Sequence, residues 1–99
     1  MLRHVVVFSF GPELDRGGRD AIASSLEGLV GVVPGLVSMR CGRDAGLVPD
    51  NADFAVVADF TDTDAWRGYI DHPVHVAIAS TQIRPFVTHR VAVQFQIEA

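Results

Sequence analysis

Leu2, His4, Val6, Phe8 and Phe10 alternate with Arg3, Val5, Val7 and Ser9, and both sets are largely apolar. A period of two puts the sets on opposite faces of a β-strand, and a strand apolar on both sides needs cover on both. The chain has only 99 residues with which to supply it. A domain that small buries a modest fraction of its surface, and a single helix layer covers one sheet face. The second face calls for another subunit.

After Gly11-Pro12 the period changes. Ile22, Leu26, Leu29 and Val33 follow helical spacing, with Asp15 as N-cap and Pro34-Gly35 as the stop. Leu36 to Arg43 reads as a second strand with Val37, Met39 and Cys41 on one side. Turn residues fill Gly46 to Ala52, and Phe54, Val56, Ala58 and Phe60 then mark a third strand, which the short connection makes a hairpin with the second. Thr61 with Asp64 forms a capping-box pattern for a second helix, Asp62 to Ile70. His72-Pro73 interrupts that helix, and Pro73 opens another, running to about Thr81. Phe86 to Ile97 is the last strand, with Val87, His89, Val91, Val93, Phe95 and Ile97 on one face. The order β-α-β-β-α-β predicts an α+β fold, a ferredoxin-like subunit with a four-stranded antiparallel sheet. The expectation is one domain over residues 1–99, paired with a second copy through the uncovered sheet face.

Composition narrows the functional classes. A net charge of -4 and eight scattered basic residues argue against nucleic acid. Cys41 stands alone, so it has no internal disulfide partner and no CxxC motif. The opening apolar run lacks the length and small-residue cleavage site of a signal peptide, and no window nears the ~20 apolar residues that cross a bilayer. These features predict a soluble cytoplasmic protein with neither membrane nor nucleic-acid partners. The sequence shows no nucleotide loop, nucleophile elbow or HExxH motif.

The segment Tyr69-Ile70-Asp71-His72-Pro73-Val74-His75-Val76 resembles the stress-responsive dimeric α/β-barrel family, whose second helix carries a Tyr-x-x-His-Pro-x-His motif. His4-Val5-Val6-Val7-Phe8, Pro34-Gly35 and Asp59-Phe60-Thr61 match as well, so the resemblance spans essentially the whole chain. It implies a dimeric α+β barrel. The family holds plant stress-protective oligomers, bacterial proteins of unknown role and a polyketide-cyclising enzyme. In that cyclase the motif's tyrosine and last histidine act on the substrate, which points to Tyr69 and His75 as catalytic residues here. A first-strand histidine of the cyclase is matched by His4. The aspartate that supports its catalytic histidine falls on Gln94, and a neutral amide orients an imidazole without stabilising an imidazolium.

The residue types fit that chemistry. Histidine titrates near neutrality and can take or return a proton; a tyrosine hydroxyl can stabilise a developing enolate. Tyr69 and His75 are six residues apart, which on one continuous helix would separate them, so the break at Pro73 is needed to bring both to one cavity. His4, His72 and Trp66 are the substrate-binding candidates, with no cofactor and no metal expected. Each also has a structural explanation: a buried His75 bonded to backbone, a core Tyr69, a capping His72, a half-buried His4, a packed Trp66. His89 reads as an interface or core residue, and Arg40, Arg43 and Arg84 as solvated cations or receivers of an acidic substrate. The leading expectation is a homodimeric, cofactor-free enzyme acting on a small hydrophobic carbonyl compound, by proton abstraction and aldol-type cyclisation. The alternatives are a non-catalytic oligomeric or ligand-binding protein and a cofactor-free monooxygenase of a related barrel family.

Overall fold

The computed structural model describes residues 1–98. Strands β1 (Leu2–Phe10), β2 (Leu36–Arg43), β3 (Phe54–Phe60) and β4 (Val87–Gln96) form one sheet in the order β2-β3-β1-β4, every neighbouring pair antiparallel. Helices α1 (Arg16–Glu27), α2 (Thr63–Asp71) and α3 (Pro73–Ile78), then a π-helical turn at Ala79–Ile83, lie on one side. This is the ferredoxin-like β-α-β-β-α-β order.

The core sits between helices and sheet. Val6, Phe8, Phe10, Phe54, Val56, Ala58 and Phe60 supply the sheet side; Ile22, Leu26, Leu29 and Tyr69 face them from the helix layer. On the other side of the sheet Val5, Val7 and Val57 are half-buried, while Val91, Val93 and Phe95 stay 46–56% exposed. The open face is therefore apolar along β1 and β4, as expected from the doubly apolar first strand. Arg3 and Asp59, paired across the central strands β1 and β3, form a two-pronged ion pair, 2.8 and 2.9 Å, and Ser38 donates to the same carboxylate.

Four details depart from the sequence-based reading. Helix α1 ends at Gly28 rather than at Pro34-Gly35; Leu29 and Val33 keep helical spacing but pack from successive turns. The N-cap of α2 is Asp62, whose carboxylate accepts from the Ala65 amide at 2.8 Å, and Thr61 is not the cap. A bulge between Leu36 and Ser38 turns Val37 outward, so Leu36, Met39 and Cys41 face the helices instead. A second irregularity, at Ser9/Phe10, sets Val87 opposite Phe10 on the helix side, away from the face that holds His89.

Strand β4 has an inverted pattern. By register, Arg90 lies opposite Phe8, Ala92 opposite Val6, Gln94 opposite His4 and Gln96 opposite Leu2. Cross-strand partners share a face, so the helix side of β4 is mostly polar and its outer side apolar. Arg90, Gln94 and Gln96 are exposed although their partners on β1 are buried. The helix layer stops short of β4, and a cavity opens there.

Candidate active site

The break between α2 and α3 places the motif's side chains. His72 adopts an extended backbone (φ −65°, ψ 131°), which suits a residue preceding proline, and Pro73 begins α3. The His72 Nδ1 accepts from the Val74 amide at 3.2 Å and so caps the new helix. Along an unbroken helix, six residues at about 100° each would leave His75 far around the axis from Tyr69. The break instead stacks the two rings, with centroids 4.0 Å apart and planes at 36°.

Both rings line a cavity of about 500 Å³ between the helix layer and the sheet. Val6, Phe8, Leu26 and Val56 form its apolar floor. The remaining polar lining is His4, Arg84 and Arg90. His4 is only 3% exposed, and its ring centroid lies 6.1 Å from that of Tyr69. Its Nδ1 is 2.9 Å from the Gln94 Nε2. Gln94 thus serves His4, and not His75, whose support the alignment left open.

Burial governs the protonation of all three groups. It lowers the His4 imidazole to about 4, with the Arg90 charge and His75 adding to the effect. Burial also holds His75 below the usual histidine value; a backbone hydrogen bond with Ile70 opposes this, and Arg84 and His72 reinforce it. The Tyr69 phenol is pushed well above its ordinary value, chiefly by burial. At neutral pH the cavity therefore holds two neutral imidazoles and one phenol kept as a hydrogen-bond donor. The His75 Nδ1 is buried without a protein hydrogen-bond partner among the described residues. An unpaired buried nitrogen is costly, and such groups concentrate where a site needs them.

Of the five candidate residues, the structure brings His4, Tyr69 and His75 to the cavity wall. It does not place His72 or Trp66 there: His72 caps α3, and Trp66 packs behind the wall, 6.0 Å from His4 between ring centroids. The Trp66 Nε1 is buried without a partner among the described residues. His89 lies on the open sheet face opposite Ser9. Arg43 pairs with Asp20 at 2.7 Å outside the cavity, while Arg84 lines it. Arg90 was not singled out from sequence; its signal was the period-two position in β4 shared with Gln94. No three His, Cys, Asp or Glu side chains among the described residues gather as metal ligands. No described helix is long and apolar enough to cross a membrane.

Comparison with known proteins decides the family. Residues 2–97 match the Dabb family, the stress responsive A/B barrel domain. This chain belongs to that family. The Dabb chain is also similar to a dimeric ferredoxin-like protein of unknown function from Thermobifida fusca YX, with 36% identity, a TM-score of 0.87, and coverage of 97% of this chain and 90% of that one. A hydroxynitrile lyase from Passiflora edulis shares the fold at 19% identity and a TM-score of 0.82, with 98% and 93% of the two chains covered. SnoaB, a cofactor-independent oxygenase from Streptomyces nogalater, does so at 17% and 0.77, with 99% and 93% covered. No curated protein sequence matches this Dabb chain.

Proposed function

We propose that this Dabb chain is a cofactor-independent enzyme that removes a proton next to a carbonyl in a small, largely apolar molecule. The observation that carries this reading is the contact of the Tyr69 and His75 rings on the wall of a cavity of about 500 Å³. Tyr69 donates a hydrogen bond to the carbonyl oxygen, and neutral His75 takes the proton from the adjacent carbon. The electron pair left on carbon is delocalised onto that oxygen as an enolate. Attack of the enolate carbon on a second carbonyl of the same molecule forms the ring bond, and the proton on His75 returns to the new alkoxide. His4 holds the substrate beside them as a second neutral imidazole.

The same acid–base pair would serve the lyase and oxygenase descriptions found on this fold, which supports the fold as a housing for such chemistry. Oxygen consumption with hydroquinone substrates separates the oxygenase reading from the cyclase one. A non-catalytic role predicts a filled interior, and the open cavity counts against it. The enzyme is a homodimer joined through the open sheet face, as the dimeric description of the Thermobifida fusca protein supports, and works in the cytoplasm.

The test is exchange of α-protons for deuterium in a panel of aryl ketones and keto esters, followed by NMR. Wild-type protein should accelerate exchange, and Tyr69→Phe and His75→Ala should each slow it by about 10²-fold or more. Equal rates for wild type and the double variant would sink the proposal.

A further inference from the structure

We infer that the molecule this cavity accepts carries a carboxylate, held at the mouth by Arg84 and Arg90 while its apolar body fills the floor. The inference rests on the cavity being a small-molecule site and names the class of molecule.

Charge placement is the first observation. The chain carries a net -4, yet the cavity lining contains two guanidiniums and two imidazoles with no Asp or Glu. Arg3, Arg19, Arg43 and Arg67 each lie within 4 Å of a carboxylate. Arg84 and Arg90 have no such partner among the described residues, although acidic side chains outnumber basic ones, twelve to eight. Arg16 and Arg40 are also unpaired, but neither lines the cavity.

Position is the second. Arg90 projects from the helix side of β4 directly across from Phe8, beside the apolar floor of the cavity. A solvated arginine would fit the outer face of an edge strand equally well; here that face holds Val91 and Val93 instead. Arg84 follows the π-helical turn, its amide donating to the Ala79 carbonyl at 2.8 Å. Two consecutive elements, the π-helical turn and β4, therefore bring unneutralised cations to one opening.

The chemistry follows. Uncompensated like charges beside a low-dielectric cavity repel one another and disfavour protonation of His4 and His75; an anion at the mouth relieves both effects. Guanidinium groups recognise carboxylate oxygens through paired, charge-assisted hydrogen bonds. With the carboxylate fixed at the mouth, the body of the molecule lies across Val6, Phe8 and Val56, toward Tyr69 and His75.

Matched probes test this by titration calorimetry, with amide shifts at Ile70, Ile83 and Val87 locating the binding. The probes are 2-naphthylacetate and its neutral amide, 2-naphthylacetamide. Wild-type protein should bind the acid about tenfold more tightly or better. In the Arg84→Gln/Arg90→Gln variant the acid should fall to within about twofold of the amide, with amide affinity unchanged. Arg90→Lys should keep part of the preference. If the amide binds in the cavity as tightly as the acid, or the preference survives in the double variant, the carboxylate inference falls while the cavity reading stands. If neither probe shifts the cavity amides at millimolar concentration, both fall.

Discussion

His4 and Gln94 sit directly opposite each other on β1 and β4, with the His4 Nδ1 2.9 Å from the Gln94 side-chain nitrogen. With the amide donating, Nδ1 accepts, which holds the imidazole neutral with its proton on Nε2. The unfolded chain's imidazole takes a proton near pH 6.5, the folded one only near 4. Between those values the unfolded state binds more protons, so stability that is full above 6.5 is lost as pH falls toward 4. The loss is on the order of 3 kcal/mol at the acid end. Urea unfolding at a series of pH values should show it, and Gln94→Glu should raise the His4 titration seen by NMR, because a carboxylate favours the imidazolium.

Catalysis should carry a related signature. A general base must be neutral, and burial holds His75 below the ordinary histidine range. The acid limb of kcat/KM should therefore lie below pH 6.5. Arg84→Gln removes one of the charges that disfavour the protonated ring, so that limb should move toward higher pH. A limb that stays in place would remove Arg84 from the electrostatics of the base.

Gly35, just before β2, packs against the second helix under a tight constraint. Its φ is +80°, and a Cβ there would collide with the Ala65 side chain and lie 3.0 Å from the Thr61 hydroxyl oxygen. Its carbonyl accepts from the Thr61 amide at 2.9 Å. Gly35→Ala should cost about 2–4 kcal/mol, combining left-handed strain with overpacking. Chemical denaturation measures it, and a loss below about 0.5 kcal/mol would contradict the packing described.

The apolar outer face of β4 is the surface on which the proposed homodimer rests. Val93 pairs with Val5, and Val91 with Val7, on the uncovered side of the sheet. Val93→Glu places a charge at that surface and should convert dimer to monomer in analytical ultracentrifugation. A wild-type protein that sediments as a monomer at tens of micromolar would refute the sheet-face dimer.

Much of this molecule was legible in local sequence pattern. The change of period from two to about four fixed the element order, and Pro73 marked the break that stacks His75 on Tyr69. What escaped depends on long-range register. A period-two reading has no place for an extra residue, so the bulges that turn Val37 outward and move Val87 to the helix side were invisible. The pairing of Gln94 with His4 was not legible because the two are 90 residues apart and brought together by strand pairing. Arg90 drew no attention, since nothing local reveals that the helix layer stops short of β4. Leu29 and Val33 misled in the other direction, keeping the helical rhythm past the true end of α1.

The π-helical turn at Ala79–Ile83 makes the length of this segment matter as much as its composition. There the Arg84 amide reaches back five residues to the Ala79 carbonyl, and Ser80 and Thr81 hydroxyls bond to the Val76 and Ala77 carbonyls one turn earlier. One residue more than an α-helical turn would hold has been accommodated. Deleting any one of the five would let the helix relax to regular winding and swing everything downstream by about 100°. Arg84 would leave the opening and Ile83 its buried place, although neither Tyr69 nor His75 had been changed. Homologues with the Tyr69–His75 pair intact but one residue fewer in this turn should therefore have a differently shaped entrance and different molecular preferences.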